Sequence, residues 1–76
     1  AAALFAGAGG LEIIERIVAG SADRLAAGGL LALEIGAGQG ADVLALLDTT
    51  GRYVSARVQR DLAGRDRMAL AETQSS

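Results

Sequence analysis

An α/β fold, ordered helix, strand, helix and antiparallel hairpin, is what this sequence predicts, and three observations carry it. Two stretches place apolar residues at helical spacing, and each stops at glycine. Between them runs a short apolar segment, residues 30–35, interrupted only by Glu34. Two alternating stretches joined by a short polar turn then close the chain, the pattern of an antiparallel pair.

The opening "AAALFAGAGG" reads as a flexible lead-in, because glycine at 7, 9 and 10 breaks helical continuity. In residues 11–27, Ile14, Ile17, Val18 and Leu25 share a helical stripe, with Ser21 in its i+7 slot. Glu12 and Arg16 stand four apart in the favourable order for an ion pair. Gly20 costs about 1 kcal/mol of helix propensity, and Gly28-Gly29 ends the helix. "LLALEI" is apolar on both alternations except for Glu34, which suits a strand buried on both faces of a sheet. "ADVLALLDTT" is a second helix with Val43, Leu44 and Leu47 as its buried stripe and Gly51 as its stop. In "YVSARVQR", Val54, Ala56 and Val58 alternate with Ser55, Arg57 and Gln59. "DLAGRD" is a turn, "RMALA" puts Met68 and Leu70 on one face, and residues 72–76 form a polar tail expected to fray. The run at 30–35 lacks a parallel neighbour in this reading, which leaves it as an open apolar edge suited to self-association.

Composition narrows function. The 76 residues make one small domain at most and include no cysteine and no histidine. Disulfides and thiolate metal sites are excluded, and the commonest metal ligand and general base is missing. With only Phe5 and Tyr53 as aromatics and a net charge of −2, base stacking and a field attracting nucleic acid or anionic lipid are both missing. Five arginines against two aspartates in residues 52–67 give a local excess of three positive charges. That pattern suits a solvated hairpin face before a docking patch for an acidic partner. No apolar run is long enough to span a bilayer, so a soluble protein of a reducing or neutral compartment is expected. A chain that starts at Ala1 reads as a piece of something longer.

"LEIGAGQG" is the stretch that points to chemistry. A strand, a G-x-G-x-G loop and a helix start form the anion- and cofactor-binding unit of Rossmann-like folds. Gly36, Gly38 and Gly40 supply the glycines, and Asp61 lies about twenty residues on, where a ribose-binding acid is expected. The same glycines also serve a sharp turn from strand to helix, and a fingerprint of this kind alone does not choose between the two.

Three flanking segments do choose. "ALFAGAGGLEIIERIV" resembles the segment, roughly A-L-x-G-G-x-D-G-L and then a helix, that follows the Asn-Pro-Pro-Tyr motif in the HemK/PrmC family, the release-factor glutamine methyltransferases. "LAAGGLLALEIGAGQGADVLALL" resembles the family's late strand and helix, L-x-x-E-I-G-x-x-Q-G, and "VQRDLAGRDRMAL" its terminal hairpin, K-D-L-A-G-R-D-R. The resemblance covers residues 3–71 and is most specific at "DLAGRDR". The chain departs from the pattern at Phe5–Gly10, which lacks two acids, and at Gly38, where the family often has Asp.

The resemblance implies the C-terminal portion of a Rossmann-like methyltransferase sheet, with residues 1–76 as one fragment of the catalytic domain. It implies a parent that transfers methyl from S-adenosylmethionine to the glutamine amide of the Gly-Gly-Gln motif in peptide chain release factors, in the bacterial cytoplasm. The Asn-Pro-Pro-Tyr motif and the cofactor loop lie upstream, so the resemblance assigns no catalytic and no cofactor-binding residue here, and the fragment alone is expected to be inactive. Residues 30–35 would sit beside the strand carrying the active-site motif. Gly36, Gly38, Gly40 and Asp61 become decoys, structural turn residues that imitate a cofactor loop. Phe5, Gly7 and Gly10 fall on the substrate-side loop. Two alternatives come from other classes: a stand-alone small-ligand-binding module using Gly36–Gly40 and Asp61, and a module that self-associates through the 30–35 edge.

Overall fold

The computed structural model describes residues 3–6 and 10–74, and the backbone alone for 4–6. The chain runs β1 (Ala3–Ala6), α1 (Leu11–Arg24), β2 (Leu30–Glu34), α2 (Gly40–Thr50), β3 (Tyr53–Arg60) and β4 (Asp66–Thr73). One four-stranded sheet has the order β1-β2-β4-β3. β1 pairs parallel with β2, and β4 pairs antiparallel with both β2 and β3. The helix, strand, helix and hairpin that the sequence predicts are all present.

The lead-in corrects the sequence reading. Residues 3–6 are not a loop but a strand, with Leu4 opposite Leu31 and Phe5 opposite Ala32. Together with α1 this makes a β-α-β crossover, the connection that parallel strands require. β2 therefore has neighbours on both sides, and the open apolar edge expected at 30–35 does not exist; the sheet ends on β1 and β3.

Both helices feed one core. Ile14, Val18, Ala22 and Leu25 meet Leu31 and Leu33 from one face of β2 and Ile35 just after it, with Val43 and Leu47 of α2 and Ala69 and Ala71 of β4. Fully burying each of the larger side chains contributes roughly 1.5–3 kcal/mol. The residues that β4 turns to this core are alanines, which lets the sheet lie close under α2. α1 stops at Arg24, earlier than the glycine pair suggests, because Leu25 takes an extended conformation and turns its side chain inward. Tyr53 ties β3 to α1: its hydroxyl donates to the Val18 carbonyl at 2.6 Å, and burial pushes the phenol above its ordinary value.

Two further expectations are corrected. Val54 and Val58 do not share a face. One extra residue at Ser55–Ala56 shifts the register between Val54↔Glu72 and Arg57↔Leu70, with Ser55 left-handed (φ 56°). The bulge reverses the alternation, so Tyr53 and Val58 face the core while Val54 is 43% exposed. The tail is also anchored further than expected. Glu72 and Thr73 complete β4, the Gly29 N–H donates to Thr73 Oγ1 (2.9 Å), which donates to the Ala26 carbonyl (2.7 Å), and Gln74 Nε2 donates to the Gly51 carbonyl.

Candidate functional site

The parallel strands β1 and β2 end at the same side of the sheet, the side where ligands bind in open α/β folds. Three features gather there: the loop after β2, the first turn of α2 and the hairpin turn at 61–65. The loop doubles back at Gly36, whose N–H donates to Gln39 Oε1 at 2.7 Å while its carbonyl accepts from the Gln39 N–H. Gly38 stands at the tip with φ 85°, a left-handed conformation that side chains disfavour.

Gly40 is buried at the first turn of α2, and there the structure adds a residue the sequence reading did not single out. The Gly40 N–H donates to Asp66 Oδ2 at 2.9 Å. Asp66 is thus a cap supplied from the neighbouring strand, and its charge sits at the positive end of the α2 dipole. Its other oxygen accepts from Arg60 Nε at 3.1 Å. No local period links residues 40 and 66; only the motif "DLAGRDR" marked Asp66 as special.

Asp61 belongs to the hairpin turn. Its Oδ1 accepts from the Ala63 and Arg65 N–H groups, both at 2.9 Å, and its Oδ2 from Arg65 Nε at 3.2 Å. The Arg65 N–H bond foremost holds its pKa below the ordinary 3.8, with help from the Ala63 N–H, the Arg65 side chain and the Arg67 charge. A lowered folded-state value means that the turn gains from the ionised form above the ordinary carboxylate range. That gain is lost as pH falls through the lowered value. The amide shifts of Ala63 and Arg65 are accordingly expected to follow a transition whose midpoint lies below the ordinary 3.8. A transition at or above pH 3.8 in an NMR titration would contradict this.

A shallow cavity of about 200 Å³ joins Gly36 to Asp61, Arg65 and Asp66. Two of the four cofactor-like residues, Gly36 and Asp61, therefore do come together, while Gly38 and Gly40 do not line this cavity. Of the substrate-side candidates, Phe5 lies in β1 and Gly10 caps α1, its carbonyl accepting from the Ile13 and Ile14 N–H groups. Gly7 lies outside the described residues. A larger cleft of about 390 Å³ between the first turns of the helices is lined by Leu11, Glu12, Glu15, Asp42 and Leu46. Its signal in the sequence is only that Glu12 and Asp42 both sit just inside a helix start.

Four of the five arginines of residues 52–67 are paired within the fold. Arg52 pairs with Asp23, Arg57 with Glu72, Arg60 with Asp66 and Arg65 with Asp61. No helix among the described residues is long and apolar enough to cross a membrane.

Comparison with known proteins bears on what this edge of the sheet serves. The chain is 44% identical over 68 residues to a release factor glutamine methyltransferase of Gloeobacter violaceus, covering 90% of this chain and 24% of that protein. It is 46% identical over 69 residues to one of Moorella thermoacetica (91% and 24%) and 37% identical over 70 residues to one of Enterococcus faecalis (92% and 25%). Nine-tenths of this chain is thus similar to release factor glutamine methyltransferases. It spans about a quarter of the length of the curated relatives it matches. No family model matches it, and no solved structure does. In this chain the two motifs form one packed unit: Gly36 with Gln39, Gly40 with Asp66 and Asp61 with Arg65 are contacts within and between "EIGAGQG" and "DLAGRDR".

Proposed function

We propose that this chain is the C-terminal scaffold of a protein-(glutamine-N5) methyltransferase that acts on peptide chain release factors. S-adenosylmethionine would be the methyl donor, bound by residues that precede this segment, and the bacterial cytoplasm the compartment. The likeness to release factor glutamine methyltransferases over nine-tenths of the chain carries the reading. In such an enzyme the transfer is a direct displacement, governed mostly by positioning. This segment would contribute the half of the sheet against which the reacting groups are held.

The "LEIGAGQG" loop is read as a structural turn. An anion-binding loop offers free backbone N–H groups and an empty helix N-terminus to its ligand. Here Gln39 occupies the Gly36 N–H and Asp66 the Gly40 N–H, and a carboxylate already stands where a phosphate or carboxylate ligand would sit. These occupied donors favour the scaffold over the small-ligand module. Calorimetric titration of the chain with S-adenosylmethionine tests the point. No saturable heat is expected; one-to-one binding lost on Gly38→Val would establish the loop as a cofactor site and overturn the reading.

A further inference from the structure

Glu34 is the one charged residue in the apolar run 30–35, and it ends β2. It lies on the sheet face opposite the helices, since Leu31, Leu33 and Ile35 take the core side. Its register partner is Met68, and the partner of Met68 is Gln59. The three form one row across β2, β4 and β3, about 10 Å from end to end at ordinary strand spacing. The next row on that face is Ala32, Leu70 and Arg57.

Glu34 and Gln59 are both exposed, and neither side chain makes a hydrogen bond or an ion pair with the described residues. Four of the five hairpin arginines find a carboxylate, yet this carboxylate finds no cation: Arg57 is held by Glu72 and Arg60 by Asp66. The Glu34 carboxylate, beside Ala32 and Met68, therefore has no partner in the fold described here. Its place is at the carboxyl end of the parallel pair, one residue beyond the Leu33 that faces the last residue of β1. Ligands of open α/β sheets enter at that end.

Resting on the methyltransferase reading, we infer that Glu34 is a substrate-binding residue. Its carboxylate accepts a hydrogen bond from an N–H of the glutamine-bearing substrate polypeptide, and Gln59 offers a second polar contact along the same row. A carboxylate suits this task because it only accepts, and an amide side chain or peptide backbone presents N–H donors.

The test grafts residues 3–73 into the Gloeobacter violaceus relative in place of its matching segment and measures methyl transfer to its release factor. Glu34→Gln is expected to raise KM for the release factor about 10- to 100-fold, the worth of a hydrogen bond to a charged acceptor. The same substitution should leave KM for S-adenosylmethionine and the melting midpoint unchanged. Asp48→Asn, an exposed carboxylate at the far end of α2, should change none of these. An active graft whose KM is indifferent to Glu34→Gln overturns the inference alone. A lowered melting midpoint in Glu34→Gln also overturns it, by making Glu34 a contact to the rest of the enzyme. A folded graft without methyl transfer overturns the methyltransferase reading itself. If the graft does not fold, the 76-residue chain is titrated by NMR with a peptide carrying Gly-Gly-Gln. Shifts at Glu34 and Gln59, lost in Glu34→Gln, are expected, and their absence overturns the inference.

Discussion

Leu33→Ala is expected to lower the stability of the chain by about 2–5 kcal/mol, the usual cost of deleting a large buried side chain. Leu33 has no exposed surface and lies in β2, between β1 and β4. Its neighbours across the strands are Ala6 and Ala69. The side chain on β4 is itself only a methyl group and cannot fill the space left behind. A chain of this length has roughly 4–11 kcal/mol of stability to lose, so the substitution removes a large share of it. Val54→Ala is the control. Sequence alternation places Val54 in the core with Val58, whereas the bulge places it on the open face at 43% exposure. It should change stability by about 0.5 kcal/mol or less. Urea unfolding separates the two through the shift in midpoint at constant slope. Equal effects would mean that the register at Ser55 is wrong.

What the residues reveal in advance follows from the range over which each signal acts. α1, β2 and α2 are legible because apolar spacing and glycine stops are local, and each recurs over several turns or strand positions. Ile14, Val18, Val43 and Leu47 are all readable from spacing alone, and all are buried. β1 is not legible: four small and apolar residues beside a glycine cluster carry no period, and their strand exists only because β2 offers an edge to pair with. The bulge at Ser55 is invisible for a related reason. Alternation can be counted along one strand, but an extra residue is defined only against its partner. The site divides in the same way. Asp61 and its turn are visible as "DLAGRD", since the bonds it accepts come from residues two and four further on. Asp66 as the cap of α2 is not, since it joins residues 26 apart.

Gly40→Ala is the other large effect expected, and it tests why the third glycine of the loop is glycine. In a dinucleotide-binding loop the second glycine stays bare so that the ligand can approach the backbone, and the third so that the helix can pack close to the strand. Here a Cβ on Gly40 would stand 2.6 Å from Asp66 Oδ2 and 3.2 Å from Val58 Cγ2, so the group that approaches is the protein's own carboxylate. Overpacking of this kind costs about 1–3 kcal/mol, and moving Asp66 aside also weakens a cap of about 0.5–2 kcal/mol. Alanine regains at most about 1 kcal/mol of helix propensity, so the sum remains destabilising by about 0.5–4 kcal/mol. Asp66→Ala alone should cost about 1 kcal/mol through the lost cap, because its Arg60 partner is largely exposed and that ion pair adds little. The double variant decides the cause. With the carboxylate gone most of the clash is gone, and the two losses should fall short of additivity by about 0.5–3 kcal/mol, as contacting residues do. Additive losses would show that Gly40 and Asp66 act independently. A neutral or stabilising Gly40→Ala would show that the α2 N-terminus is open, which is the condition a ligand-binding loop requires and a scaffold turn does not.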